Sequence, residues 1–222
     1  MWRDALAVAG KDLRVELRSR VATSQVLPFA LVILVLLAFA IDPDSGLLSR
    51  AAPGLYWVAV TFAAVLAVQR SFSLESVDGA ADGMRMSGLD PAGIFLGKAA
   101  AVGVQLCLLE AVLAVGSAIL YNAPLRGPAL LLGAGVAATV GLAAAGVLYG
   151  VLASSLRVRE TLLPLLLLPV LAPVLLAATK AWGAAMSGGA GLGGRWLQLL
   201  AVFAVVYLAA GVLAFGPLLE VS

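Results

Sequence analysis

The sequence predicts an all-α membrane protein with six transmembrane helices in a single transmembrane domain that covers residues 1–222. Hydrophobic residues make up 63% of the 222 residues and charged residues only 12%, against roughly a quarter in an ordinary soluble domain. Six apolar runs are long enough to cross a bilayer core, which takes about 20 helical residues. They leave no room for a soluble nucleotide-binding domain. The runs are Val21–Ile41, Ala51–Val68, Ala99–Tyr121, Pro128–Leu152, Thr161–Thr179 and Trp196–Phe215.

The distribution of basic residues predicts the orientation of the chain. With a cytoplasmic N-terminus, all but four of the 14 lysines and arginines fall on the cytoplasmic side. Such a bias is typical of cytoplasmic loops in membrane proteins. Because the number of crossings is even, both termini are predicted to be cytoplasmic. The four outer residues are Arg50, Arg126, Lys180 and Arg195.

Residues 1–20 predict an amphipathic helix that lies in the cytoplasmic interface of the membrane. Apolar residues recur there every three or four positions and share one helix face, while charged residues occupy the rest. This pattern just before a crossing is typical of an interfacial helix. A disordered basic tail, the alternative, would not maintain such a stripe. The stripe consists of Trp2, Leu6, Ala9, Leu13 and Leu17.

The longest polar interruption, residues 70–98, contains four acids and three bases with apolar side chains scattered among them. Gly88 is suited to end a helix, and Asp90 followed by Pro91 is typical of an N-cap and a first helical position. We predict a short amphipathic helix outside the membrane, then a turn, then a long helix that re-enters it. A connecting loop with fortuitous patterning is the alternative.

Two further patterns concern packing between crossings. Gly93 and Gly97 share a GxxxG spacing with Gly146 and Gly150, which predicts close helix approach at both places. Tyr56 and Trp57 are expected in an interfacial aromatic belt.

The fifth run carries Pro164, Pro169 and Pro173. Proline removes a backbone hydrogen bond and clashes with the preceding turn, so this helix is predicted to be kinked or broken.

Glu110 is placed near the middle of the third crossing, with no evident partner on its own helix. An ionisable residue at that depth is a functional hypothesis by default. The alternative is a glutamate that is protonated or satisfied by packing.

The chain contains no histidine and one cysteine, Cys107. It also lacks a phosphate-binding loop, an HExxH motif, a CxxC motif and a nucleophile elbow. We therefore predict that it is not an enzyme, binds no cofactor of its own and holds no metal site.

The predicted layout, six crossings with a cytosolic helix between the second and third, is that of a permease driven by a separate ATPase. Three stretches are typical of a known family: RAAPGLYWVAVTFAAVLAVQRSF, LESVDGAADGMRMSGLDPAGIFLGK and TLLPLLLLPVLAPVLL. In these stretches the chain resembles the CcmB family, a membrane component of the bacterial cytochrome c maturation haem-export system. The resemblance covers essentially the whole length and departs from the family pattern at Ala81 and in the spacing of Pro91.

The resemblance implies a multi-pass permease of the ABC-2 type in the bacterial inner membrane, with residues 1–222 as a single ABC-2-type transmembrane domain. It would pair with a second copy of itself and with a CcmA-like ATP-binding subunit, which would carry ATP and Mg²⁺, and haem would be the candidate substrate. ATP hydrolysis would be coupled to haem export or to release of haem-loaded chaperone on the periplasmic side. Further implied partners are a CcmC-like haem-handling membrane subunit, a CcmD-like small single-span subunit and a CcmE-like haem chaperone; nucleic acid is not among them.

The predicted contact with the ATPase lies in residues 70–98, where the resemblance is densest. Its methionines suit an apolar groove on a partner, and its acids suit a basic rim around that groove. A solvated face is the alternative, but it would not need the methionines. The residues assigned to ATPase coupling are Arg70, Phe72, Glu75, Asp78, Gly79, Asp82, Met84 and Met86.

Two other function classes remain open from the sequence. A proton-coupled secondary transporter would use Glu110 as its coupling acid and would need no ATPase. A non-transporting scaffold for cytochrome assembly would be indifferent to ATP.

Overall fold

The computed structural model describes residues 1–20, 22–41, 46–77, 88–154 and 159–221. Within these ranges the chain forms α-helices and one π-helical turn, Ala22–Val26, and contains no strand, as the sequence predicts. The helices are α1 (Trp2–Ser19), α2 (Leu27–Ala40), α3 (Leu47–Val77), α4 (Pro91–Leu120), α5 (Pro128–Ser154), α6 (Arg159–Ser187) and α7 (Ala190–Val221).

In the described part of the chain, five helices are long and apolar enough to cross a membrane. They overlap the last five predicted runs; four of them extend several residues further at one or both ends, and the span that begins at Pro128 ends one residue later than predicted. The protein is therefore a multi-pass membrane protein. The candidate spans are Leu47–Phe72, Pro91–Leu120, Pro128–Ala153, Leu163–Ser187 and Gly191–Leu219.

The first predicted crossing is shorter than expected. At 1.5 Å per residue the 14 residues of α2 span about 21 Å, less than the roughly 30 Å of a bilayer core. The π-helical turn Ala22–Val26 lies directly before α2 and lengthens this helical stretch by five residues. Trp2–Ser19 and Ser24–Ala40 form a candidate span when taken together, and their axes meet at 55°. The count of six crossings stays a prediction.

Both ends of the described chain lie at one end of the helix bundle. The Phe215 ring of α7 lies 5.6 Å from the Phe95 ring of α4, and the Met1 amino nitrogen lies 3.4 Å from the Asp90 carboxylate. This common end is what an even number of crossings requires. We call it the N-terminal end of the bundle.

The predicted start of α4 is confirmed. The Asp90 side chain accepts a hydrogen bond from the Ala92 backbone N–H at 3.1 Å, and Pro91 holds the first helical position. Gly88 has a φ of +66°, a left-handed conformation that glycine adopts without strain.

The separate short helix predicted here does not begin in residues 71–77, which continue α3 without interruption. The candidate span in this helix ends at Phe72, beyond its predicted end at Val68. The rest of the predicted coupling helix lies outside the described residues, and with it Asp78, Gly79, Asp82, Met84 and Met86.

Helix α6 runs through Pro164, Pro169 and Pro173 without a break, so the expectation of a broken helix is wrong and a kink stays a prediction. Proline at position 173 leaves the carbonyl of residue 169 without its helical donor. The next carbonyl, that of Val170, accepts a hydrogen bond from the Tyr207 hydroxyl of α7 at 2.7 Å, which ties α6 to α7 at this level.

The predicted aromatic belt at Tyr56 and Trp57 is also wrong. Each residue is only 1% exposed, and both pack against Trp182 of α6 inside the bundle. The Tyr56 and Trp182 rings are stacked with centroids 4.1 Å apart. Such aromatic side chains have an apolar body and a polar tip, and they suit the interior of a helix bundle as well as a membrane interface.

Candidate functional site

The glycines at the start of α4 form the surface on which α1 packs. A methyl group built on Gly97 would lie 2.6 Å from the Ala5 carbonyl oxygen and 2.7 Å from Val8 Cβ. One built on Gly93 would lie 2.8 Å from the Met1 carbonyl oxygen. Only glycine permits this approach, so the close packing predicted from this GxxxG pair is confirmed.

The face that α1 turns to the protein differs from its predicted apolar stripe. Ala5 and Val8 are buried, whereas Trp2, Leu6 and Leu17 are 70–75% exposed. In a membrane protein, exposed large apolar side chains of this kind are available to lipid. The stripe is therefore free to face the bilayer while the small residues contact α4.

The second glycine pair, Gly146 and Gly150 of α5, receives side chains of α3. The Val68 side chain occupies the space that a methyl group on Gly146 would need, and the Phe72 ring does the same at Gly150. Both α3 residues are buried. This GxxxG prediction is confirmed as well.

Lys98 of α4 is the most deeply buried charged side chain in the described ranges, with 2% exposure. Its Nζ lies 3.6 Å from Asp12 Oδ2 of α1 and 5.1 Å from the centroid of the Phe72 ring. The carboxylate attracts the ammonium group by its charge, and the ring attracts it by its quadrupole. Asp12 is also paired with Lys11, at 2.9 Å.

These contacts join four helices at the N-terminal end of the bundle. Asp12 belongs to α1, Phe72 to α3, Lys98 to α4 and Gly150 to α5. We call this set of four residues the junction. Phe72 and Lys98 lie on the two helices that flank residues 78–87, so a displacement of that segment would act on packed helices and not on free ends.

A second contact fixes the start of α1 beside the start of α4. The Asp4 carboxylate accepts a hydrogen bond from the N-terminal ammonium at 3.1 Å and from the Asp90 backbone N–H at 3.4 Å. These two hydrogen bonds lower the pKa of Asp4 below its usual value. The N-terminal ammonium and the Asp4 carboxylate are partly exposed, so solvent screens this contact.

The residues assigned to ATPase coupling divide into three groups. Phe72 is 8% exposed and packs inside the chain, so its assignment to a partner-contacting surface is corrected to an internal anchor. Arg70 is half-buried in α3, and Glu75 lies in the last turns of that helix. The other five lie outside the described residues.

Sequence reasoning missed the roles of Asp12 and Lys98. One signal was available: Ala5, Val8 and Asp12 follow a spacing of three and four and therefore share a face, which is the face that meets Gly97. Nothing in the sequence paired that face with Lys98, because the two residues belong to different helices.

Glu110 has a hydrogen-bond partner on the neighbouring helix α5. Its residue exposure is 7%, and its Oε1 lies 2.6 Å from Thr139 Oγ1 of α5. The Tyr56 hydroxyl of α3 donates to the Glu110 backbone carbonyl at 3.2 Å. The expectation of a packing-satisfied glutamate therefore fits the contacts, which link α3, α4 and α5.

An apolar cavity of about 550 Å³ lies between α1, α4, α5 and α7. Thr139 and Cys107 contribute its polar atoms, and none of its lining residues is charged. Among the described residues, no three His, Cys, Asp or Glu side chains come together as metal ligands.

Comparison with known proteins gives a consistent family. Residues 3–222 match the family described as "CcmB protein". A relative from Paracoccus denitrificans, named "Heme exporter protein B", is 33% identical over 178 residues, which cover 77% of this chain and 78% of the relative. Relatives of the same name from Haemophilus influenzae and Bradyrhizobium diazoefficiens are 31% and 29% identical, with 81% and 92% of each chain covered.

Proposed function

Because the chain belongs to the CcmB family, we propose that it is the membrane permease subunit of a haem exporter that serves cytochrome c maturation. In this proposal a separate ATP-binding subunit hydrolyses ATP, and this chain converts the resulting movement into haem export or into release of a haem-loaded chaperone. It resides in the bacterial inner membrane with both termini in the cytoplasm, and it carries no catalytic residue. A second copy and haem-handling membrane subunits complete the assembly.

The junction is the observation that supports ATP coupling. A partner can drive a conformational change only through contacts that differ between its two states. Residues 78–87 are flanked by α3 and α4, and the junction connects both helices to α1 and α5. Packed helices move as units, so a displacement of the segment is transmitted to the spans.

Substitutions within the segment test the proposal. We expect Met84→Asp to abolish the effect of this chain on the partner's ATPase rate, since a carboxylate cannot enter an apolar groove without losing its hydration. Asp82→Lys is expected to weaken association with the ATP-binding subunit in a salt-dependent manner. The measurements are co-purification at two salt concentrations and ATP hydrolysis in proteoliposomes.

Arg126→Glu serves as the matched control. It reverses a charge on an exposed residue in the connection between α4 and α5, at the opposite end of the bundle. We expect it to change neither association nor hydrolysis. If both segment variants insert normally and behave as this control does, the segment does not couple the two subunits.

A further inference from the structure

The contacts of the Thr139 hydroxyl bear on the protonation state of Glu110. Thr139 Oγ1 lies 2.6 Å from Glu110 Oε1 and 2.9 Å from the Gly135 carbonyl oxygen. A hydroxyl group can donate one proton, and a carbonyl oxygen can donate none. Two full hydrogen bonds at these distances need two protons, and a protonated glutamate supplies the second.

The proton order is then fixed. The Glu110 carboxyl donates to the Thr139 hydroxyl, and that hydroxyl donates to the Gly135 carbonyl of its own helix. An ionised Glu110 would compete with the Gly135 carbonyl for the single proton of the Thr139 hydroxyl. One of the two oxygen–oxygen contacts would then have no full hydrogen bond. The observed geometry is therefore that of a neutral acid.

The groups that face Glu110 supply no positive charge to stabilise an anion. From α3 the facing group is Tyr56, whose hydroxyl is used on the Glu110 backbone. From α5 it is Thr139, and on α4 itself it is Cys107, one turn earlier. Uncharged residues of α1, α4, α5 and α7 line the neighbouring cavity. Lys98 lies 12 residues before Glu110, about 18 Å along the helix.

We infer that Glu110 is a neutral carboxylic acid whose proton holds α4 against α5. It is a positioning residue: it keeps the two helices in register through Thr139. Loss of its proton would draw the Thr139 hydroxyl proton away from the Gly135 carbonyl and change this arrangement. The inference does not rely on the ATPase proposal.

Infrared difference spectroscopy on the purified full-length protein tests the inference directly. At neutral pH, wild type minus Glu110→Gln is expected to show the carbonyl stretch of a protonated carboxylic acid. Surface carboxylates are ionised under these conditions and do not contribute to that band. Thr139→Val should move the band to higher frequency because it removes the acceptor of the carboxyl proton. Absence of the band from folded wild-type protein would overturn the inference.

Thermal unfolding in detergent gives a second readout that does not depend on spectroscopy. Gln retains an N–H donor for Thr139, so Glu110→Gln should leave the midpoint within about 2 °C of wild type, whereas Glu110→Ala should lower it by more than about 3 °C. Thr139→Ser retains the hydroxyl and is the control for Thr139→Val. If Gln destabilises the protein as much as Ala does, the carboxyl group is acting as an anion and the inference is wrong.

Discussion

Gly97→Ala is expected to separate α1 from α4. The added methyl group would lie 2.6 Å from the Ala5 carbonyl oxygen, and a backbone atom cannot rotate away as a side chain can. Forcing a methyl group into such a contact typically costs about 2 kcal/mol. For a chain of this length, that corresponds to a fall of about 4–8 °C in the unfolding midpoint, measured in detergent.

Gly103→Ala is the matched control on the same helix. Its added methyl group would lie 3.8 Å from Ala143 Cβ, an ordinary contact distance. Alanine is the better helix former by up to about 1 kcal/mol, so this variant should be as stable as wild type or slightly more stable. Equal behaviour of the two variants would show that the packing of α1 on Gly97 does not contribute to stability.

Asp12→Asn is expected to disrupt the junction more than Lys98→Met does. The asparagine variant keeps a lysine of 2% exposure in place and removes the carboxylate that lies 3.6 Å from it. Breaking a buried ion pair from one side costs about 3 kcal/mol or more, and we expect about 2 kcal/mol here because Asp12 retains some exposure. Methionine, by contrast, fills the space beside Phe72, and Asp12 keeps Lys11 at 2.9 Å.

The relative loss of stability in Asp12→Asn and Lys98→Met shows whether the ion pair is the main contribution of Lys98. We expect Lys98→Met to lower stability by roughly half as much as Asp12→Asn, and Lys11→Met, which changes an exposed side chain, by less than about 1 kcal/mol. Urea or thermal unfolding of the three variants gives the order. A larger loss for Lys98→Met would mean that the lysine supports the fold mainly through contacts other than its pair with Asp12.

The sequence is informative about features that depend on neighbouring residues along the chain. The Pro128 run was expected to end at Leu152, and the corresponding candidate span ends at Ala153. The two agree because both depend on the apolar composition of consecutive residues. The Asp90 cap and both GxxxG contacts were likewise predictable, since each motif has its own geometry.

The identity of the side chains that meet across two helices was not predictable. Glu110 and its partner Thr139 are separated by 29 residues, and only the packing of α4 on α5 brings them together. The same holds for Asp12 and Lys98. Tyr56 and Trp57 were misplaced because an aromatic side chain near the end of an apolar run fits a lipid interface and a buried cluster equally well by composition.

The central claim is that this chain couples the ATPase of a separate subunit to events in the membrane. Its most direct test is to co-express the full chain with an ATP-binding subunit from the same exporter and purify the two in detergent. ATP hydrolysis is then compared in proteoliposomes with and without this chain. We predict that the two proteins stay together and that the hydrolysis rate depends on the presence of this chain. Separate elution together with an unchanged rate would contradict the claim.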